Sequence, residues 1–115
     1  MRVLVCGGRD FYGWRLLEQT LYELLKGETE NVILEGGASG ADSLARQYAW
    51  YNKIDYIECL ADWNRDGKKA GILRNIEMLE KGKPDLVVAF PGGRGTAHMV
   101  KIAKEAGIEV KEIEV

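Results

Sequence analysis

Five apolar runs of strand length, Val3–Cys6, Val32–Leu34, Tyr56–Cys59, Leu86–Phe90 and a weaker Val110–Val115, alternate with four longer stretches of helical period. No other feature narrows the fold as much. Strands separated by helices pair in parallel, because each must return to the same end of the sheet through a crossover, and such crossovers are right-handed. The sequence therefore predicts an α/β open sheet of about five parallel strands with helices on both faces, formed by residues 1–115 as one domain. The expected strand order is 3-2-1-4-5, with a topological switch between strands 1 and 4.

The helical stretches carry their own punctuation. Trp14, Leu17, Leu21, Leu24 and Leu25 recur at helical spacing, with Asp10 as the expected N-cap and Gly27 as the stop. Ala41, Leu44, Ala45 and Tyr48 form the inward stripe of a second helix. It opens with Ser39-Gly40-Ala41-Asp42, a capping-box pattern with Asp in place of Glu. The third helix is expected over Lys68–Lys81 and the fourth over Thr96–Ala106, with Gly82 and Gly107 behind them. Between strand 3 and helix 3 lies the longest irregular connection, Leu60–Gly67, which carries Trp63.

Glycine usage then turns the fold into a site. Of the 14 glycines, nine fall in or beside three loops: CGGRDF after strand 1, EGGASGAD after strand 2 and FPGGRGTA after strand 4. Ligands of open parallel sheets bind outside the carboxyl ends of the strands at the switch point, so all three loops share one rim. Each loop also enters a helix N-terminus, where unpaired N–H groups and the helix dipole attract anions. One such loop is an ordinary tight turn; three on one rim make a crevice.

The expected ligand-binding set is Gly7, Gly8, Arg9 and Asp10 from the first loop and Gly36, Gly37, Ser39, Gly40 and Asp42 from the second. Pro91, Gly92, Gly93, Arg94, Gly95 and Thr96 come from the third, with Trp63, Arg74 and Asn75 between. Arg9, Arg94 and Arg74 are the cations suited to bidentate phosphate contact. Asp10 and Asp42 are candidate acceptors for ribose hydroxyls, against the competing reading of both as helix caps. Trp63 or Phe90 is the candidate cover for a base.

Other chemistries fail on the residues. GxxxxGK[ST] is absent, GxGxxG fails after strand 1, and Gly37-Ala38-Ser39-Gly40-Ala41 misses the nucleophile elbow by its last residue. The lone histidine, His98, is the only partner available to Ser39, so Ser39 reads as an N-cap. No spacing supports a protein-held metal, and no cofactor is expected. Cys6 and Cys59 each end an expected buried strand and read as small core hydrophobes. A net charge of −2 weighs against nucleic acid as the main partner. The N-terminal apolar run is too short for a secretory signal and no run approaches a membrane span, so a cytoplasmic protein without membrane contact is expected. Tyr48, Trp50 and Tyr51 on more than one face of the second helix point to a homodimer.

Five segments together resemble the YspA-type branch of the SLOG superfamily: Gly7-Gly8-Arg9-Asp10-Phe11; Gly36 to Asp42; Asp62-Trp63 with Gly67; Ala70-Gly71-Ile72-Leu73-Arg74-Asn75; and Pro91 to Ala97. The resemblance covers nearly the whole chain in order. It implies a Rossmann-like fold, often homodimeric, that binds nucleotides or nucleotide-derived ligands such as ADP-ribose-like molecules at the glycine loops. The superfamily also contains the LOG phosphoribohydrolases, whose PGGxGTxxE motif ends in a glutamate that takes part in cleaving an N-glycosidic bond. That glutamate position is Met99 here, and methionine neither moves a proton nor stabilises an oxocarbenium-like centre. Binding is therefore the first expectation. The alternative is a nucleotide N-glycoside hydrolase with a relocated acid, Asp42, Asp10 or Asp62.

Overall fold

In the computed structural model, which describes residues 1–115, the chain runs β1 (Arg2–Cys6), α1 (Trp14–Leu25), β2 (Val32–Glu35), α2 (Ala41–Tyr51) and β3 (Asp55–Glu58). It continues as α3 (Trp63–Asp66), a 3-10 turn (Gly67–Lys69), α4 (Ala70–Gly82), β4 (Leu86–Ala89), α5 (Arg94–Glu105) and β5 (Glu109–Glu112). All strands are parallel, in the order β3-β2-β1-β4-β5. The fold class is as the alternation of elements implied, and the order is the expected 3-2-1-4-5.

Strand periodicity divides the core into two layers. Val3, Val5, Ile33, Leu86 and Val88 pack with Leu17, Leu21, Leu44 and Tyr48 of α1 and α2. Leu4, Cys6, Leu34, Val87 and Ala89 face Met78 of α4 and Met99 and Ala103 of α5. Central strands covered on both faces need apolar residues at every position, which is why β1 and β4 read as unbroken Val/Leu runs. β3 departs from expectation: all four of its residues are exposed, because it sits at the sheet edge, and Cys59 falls just beyond it.

Several boundaries differ from the sequence expectation for local reasons. Asp10 does not cap α1; the cap is Gly13, without a side-chain hydrogen bond. Phe11 intervenes, its N–H donating to Gly8 O and its ring stacking on Phe90 at 5.1 Å, so the helix starts only after that aromatic is placed. The capping box at α2 does not form. Gly40 is the cap residue, and the Ser39 hydroxyl donates to Arg9 O instead. Leu60–Gly67 is not wholly irregular: Asp62 accepts from Arg65 N at 3.0 Å and caps α3, which leads through the 3-10 turn into α4. No helix is long and apolar enough to cross a membrane.

Candidate functional site

The three glycine loops meet at Gly8, beside the switch between β1 and β4. Gly8 N donates to Pro91 O at 2.8 Å, while Gly8 O accepts from Phe11 N and Ala41 N, each at 3.1 Å. One residue thus knits loop 1 to loops 2 and 3. A Cβ on Gly8 would lie 2.9 Å from Pro91 O, so glycine is required there by contact alone. At Gly40 the requirement is double, since φ is +72° and a Cβ would strike the backbone of Gly8 and Arg9.

Beyond that junction the loops differ in what they offer. In loop 2, Gly36 N and Ala38 N both donate to Asp42 Oδ2 at 3.2 Å, and Gly37 N donates to Glu35 Oε1 at 2.6 Å. The chain's own carboxylates take these three N–H groups, which are therefore not free for a phosphate as the sequence expectation had them, while Ser39 N and Gly40 N have no partner in the chain. Loop 3 is the opposite case. The N–H groups of Gly92, Gly93, Arg94, Gly95 and Thr96 have no partner in the chain, and the last three form the first turn of α5. Anions are favoured there by both unpaired donors and the helix dipole.

Asp42 is buried, and burial pushes its carboxyl above the usual range against the opposing pull of the Ala38 and Gly36 N–H groups, Arg74 and Arg9. Its second oxygen has no partner in the chain. The sole buried side-chain polar atom left unpaired is Glu35 Oε2, so Asp42 Oδ1 reaches solvent through the crevice. The same reasoning opens Arg74 Nη2. The rest of Arg74 serves the scaffold: Nη1 donates to Gly36 O and Cys59 O, and Nε to Asn75 Oδ1. Asn75 Nδ2 in turn donates to Gly95 O at 3.2 Å. Helix α4 therefore ties the acceptor-bearing loop 2 to the donor-bearing loop 3.

The crevice between them has a volume of about 880 Å³, within the range of small-molecule sites. Of the sequence-derived set, Gly7, Gly8, Arg9, Asp10, Gly36, Asp42, Trp63, Arg74, Asn75, Pro91, Gly92, Gly93, Arg94, Gly95 and Thr96 line it. Gly37, Ser39 and Gly40 do not; they shape loop 2 from behind. Phe90 is buried behind Phe11 and is no cover for a base, whereas Phe11 lines the wall. Trp63 lies over Gly71, half-exposed at the mouth. Cys6 also lines the crevice, but burial first, then Asp42, pushes its thiol up to about 12, so it stays protonated and unreactive.

Three polar residues were not in the expected ligand-binding set, His98 having been weighed only as a partner for Ser39. Lys68 and His98 line the crevice, and Glu35 supports loop 2 from a fully buried position. Lys68 was legible only as a helix start, and an acid closing the apolar run Val-Ile-Leu-Glu was the available signal for Glu35. Met99 is wholly buried against the α4/α5 side of the sheet, so no ionisable group occupies that position.

Residues 1–65 match the model of the YspA, cpYpsA-related SLOG family. This chain belongs to that family. The matched segment contains loops 1 and 2 and ends within α3, so loop 3 lies outside it. A curated relative of this SLOG-family chain, the Gene 61 protein of Mycobacterium phage D29, is 40% identical over 120 residues, covering 95% of this chain and 93% of the relative. Two solved structures share the fold. The structural-genomics protein TM1055 aligns with a TM-score of 0.69 at 20% identity, over 95% of this chain and 71% of that one. DNA processing protein A (DprA) of Streptococcus pneumoniae aligns with a TM-score of 0.79 at 19% identity, over 99% of this chain and 50% of that one.

Proposed function

We propose that this SLOG-family protein binds a nucleotide or nucleotide-derived ligand, a nucleoside phosphate, ADP-ribose-like molecule or signalling nucleotide, in the crevice between loops 2 and 3. One observation carries the reading: five unpaired N–H groups on loop 3 share a crevice with the open oxygen of a buried aspartate on loop 2. A molecule with phosphate at one end and hydroxyls at the other satisfies both, phosphate against loop 3 with Arg9 and Arg94 at the rim, and ribose against Asp42. Trp63, which lines the same crevice, would cover the base.

Binding is preferred over cleavage because the position aligned with the LOG glutamate is a buried methionine. Hydrolysis with Asp42 as relocated acid is the second reading, favoured by a carboxyl whose hold on its proton burial strengthens and whose second oxygen is open to the crevice. Asp62 is spent on capping α3 and Asp10 is exposed at the rim. Titration calorimetry with AMP and ADP-ribose, with chromatography of released base, separates the two. Saturable heat without base supports binding; base release abolished by Asp42→Ala supports hydrolysis; no heat with either ligand refutes the common premise. The name of the fold relative DprA concerns DNA, so a single-stranded oligonucleotide forms a third arm, and the net charge of −2 predicts no response there. A second copy of the chain is proposed as partner on the α2 face, where Trp50 and Tyr51 are 71% and 65% exposed.

A further inference from the structure

Asn75 sits in α4 with 5% exposure, and its amide faces two kinds of neighbour. Oδ1 accepts from Arg74 Nε at 3.0 Å, while Nδ2 lies 3.2 Å from Gly95 O and 3.1 Å from His98 Nδ1. Flipping the amide would set its oxygen against the Gly95 carbonyl oxygen and its NH2 against the Arg74 donor, so only one orientation is compatible with both. The NH2 group must then donate to His98, and Nδ1 must accept. A neutral imidazole carries one ring proton, which this contact assigns to Nε2.

Nε2 has no partner in the chain and is not a buried orphan, and His98 lines the crevice one turn into α5. The peptide whose oxygen Asn75 holds, Gly95 C=O, is the one that carries the unpaired Thr96 N–H. A single amide thus orients both a ring donor and a backbone donor on the same side of the crevice. Resting on the nucleotide reading above, we infer that Asn75 is a positioning residue that fixes the His98 tautomer, and that His98 meets the anionic end of the ligand as an Nε2–H donor. His98 selects for an acceptor at that point, such as a phosphate oxygen, and against an amine or hydroxyl hydrogen directed at it.

His98 is the only histidine, so a long-range proton–nitrogen NMR spectrum contains one imidazole and reads its tautomer without assignment. In the free protein Nδ1 is expected bare and Nε2 protonated, and saturating AMP is expected to shift Nε2 far more than Nδ1. A protonated Nδ1 in the free protein, or an Nε2 resonance unmoved at saturation, overturns the inference. A pair of substitutions separates ligand contact from mere packing. Gln places an amide near the Nε2 position and Asn near the Nδ1 position, so His98→Gln is expected to keep AMP affinity within about threefold. His98→Asn is expected to lose about tenfold or more, the scale of one hydrogen bond to a charged group. The reverse ranking, or no loss in either, overturns the contact, and thermal melts of both variants exclude unfolding as the cause. Absence of heat from wild type with AMP and ADP-ribose removes the nucleotide reading and the contact with it, while the free-protein tautomer still decides what Asn75 does.

Discussion

Glu35 is a carboxylate with no exposure, closing β2 directly opposite Glu58 of β3. Oε1 accepts from Gly37 N, and Oε2 is buried without a partner. Burial raises its pKa from 4.5 to about 7; Glu58 and Asp42 add to the rise, while the Gly37 N–H and Arg46 oppose it. The folded state therefore holds this proton more tightly than the unfolded chain, and stability contributed by the neutral form is lost as pH climbs from about 4.5 through 7. At 1.36 kcal/mol per unit, the ionised group costs the fold about 3 kcal/mol above pH 8. Glu35→Gln keeps an oxygen for Gly37 N and does not titrate, and its NH2 faces the same unpartnered spot as the O–H of the protonated acid. The variant should match wild type near pH 4.5 and exceed it increasingly up to pH 8, by about 3 kcal/mol or roughly 10 °C in Tm. Urea denaturation of both proteins from pH 4.5 to 8.5 measures the difference directly. A difference that stays flat with pH, or a variant less stable at pH 8, refutes the reasoning and means that the buried charge is compensated.

Asp42 should separate stability from binding in a pair of variants. Asp42→Asn retains an acceptor for Gly36 N and Ala38 N and removes a buried charge, so at pH 7 it should melt no lower than wild type; Asp42→Ala strands both donors and should cost about 2 kcal/mol. Both should weaken AMP binding in calorimetry, and unchanged affinity in both would remove the ribose role. Gly95→Ala adds a methyl where the chain leaves open space on a helical turn, so it should raise stability by about 0.5–1 kcal/mol yet weaken phosphate binding, measured by melts and calorimetry on one sample. For the α2 face, light scattering at rising concentration should show wild type as a dimer and Trp50→Lys as a monomer; a wild-type monomer throughout refutes that surface as an interface.

How much of this was legible in the sequence depends on whether the signal was periodic or local. The parallel α/β class followed from the alternation of elements and the unbroken apolar runs at β1, β2 and β4, because central parallel strands admit little else. The strand order rested on the usual arrangement of such sheets and not on periodicity. β3 was misjudged as buried since Tyr56-Ile57-Glu58-Cys59 carries the apolar residues of a core strand, and its exposure is set by edge position, which periodicity does not encode. Asp10 and Ser39 had the composition of N-caps, but the Phe11–Phe90 stack and the Gly8–Ala41 hydrogen bond decided where α1 and α2 begin. Long-range contacts outweighed local caps.

The crevice itself was located by glycine clustering, yet its polarity was invisible. Three loops with the same composition look like three anion cradles until hydrogen-bond partners are assigned, and assignment turns on two acids, Glu35 and Asp42, that fold back onto loop 2. That closure explains why glycines alone are a poor guide to phosphate. A glycine loop offers its N–H groups to whatever carboxylate lies nearest, and the run Gly92 to Thr96, with no carboxylate folded onto it, leaves five in succession unpaired. The third loop also lacks the glutamate of the LOG motif, its place being taken by buried Met99. On the proposed reading these are two separate features: the unpaired N–H groups of Gly92 to Thr96 would hold the anion, and the absence of an acid at Met99 disfavours cutting its glycosidic bond.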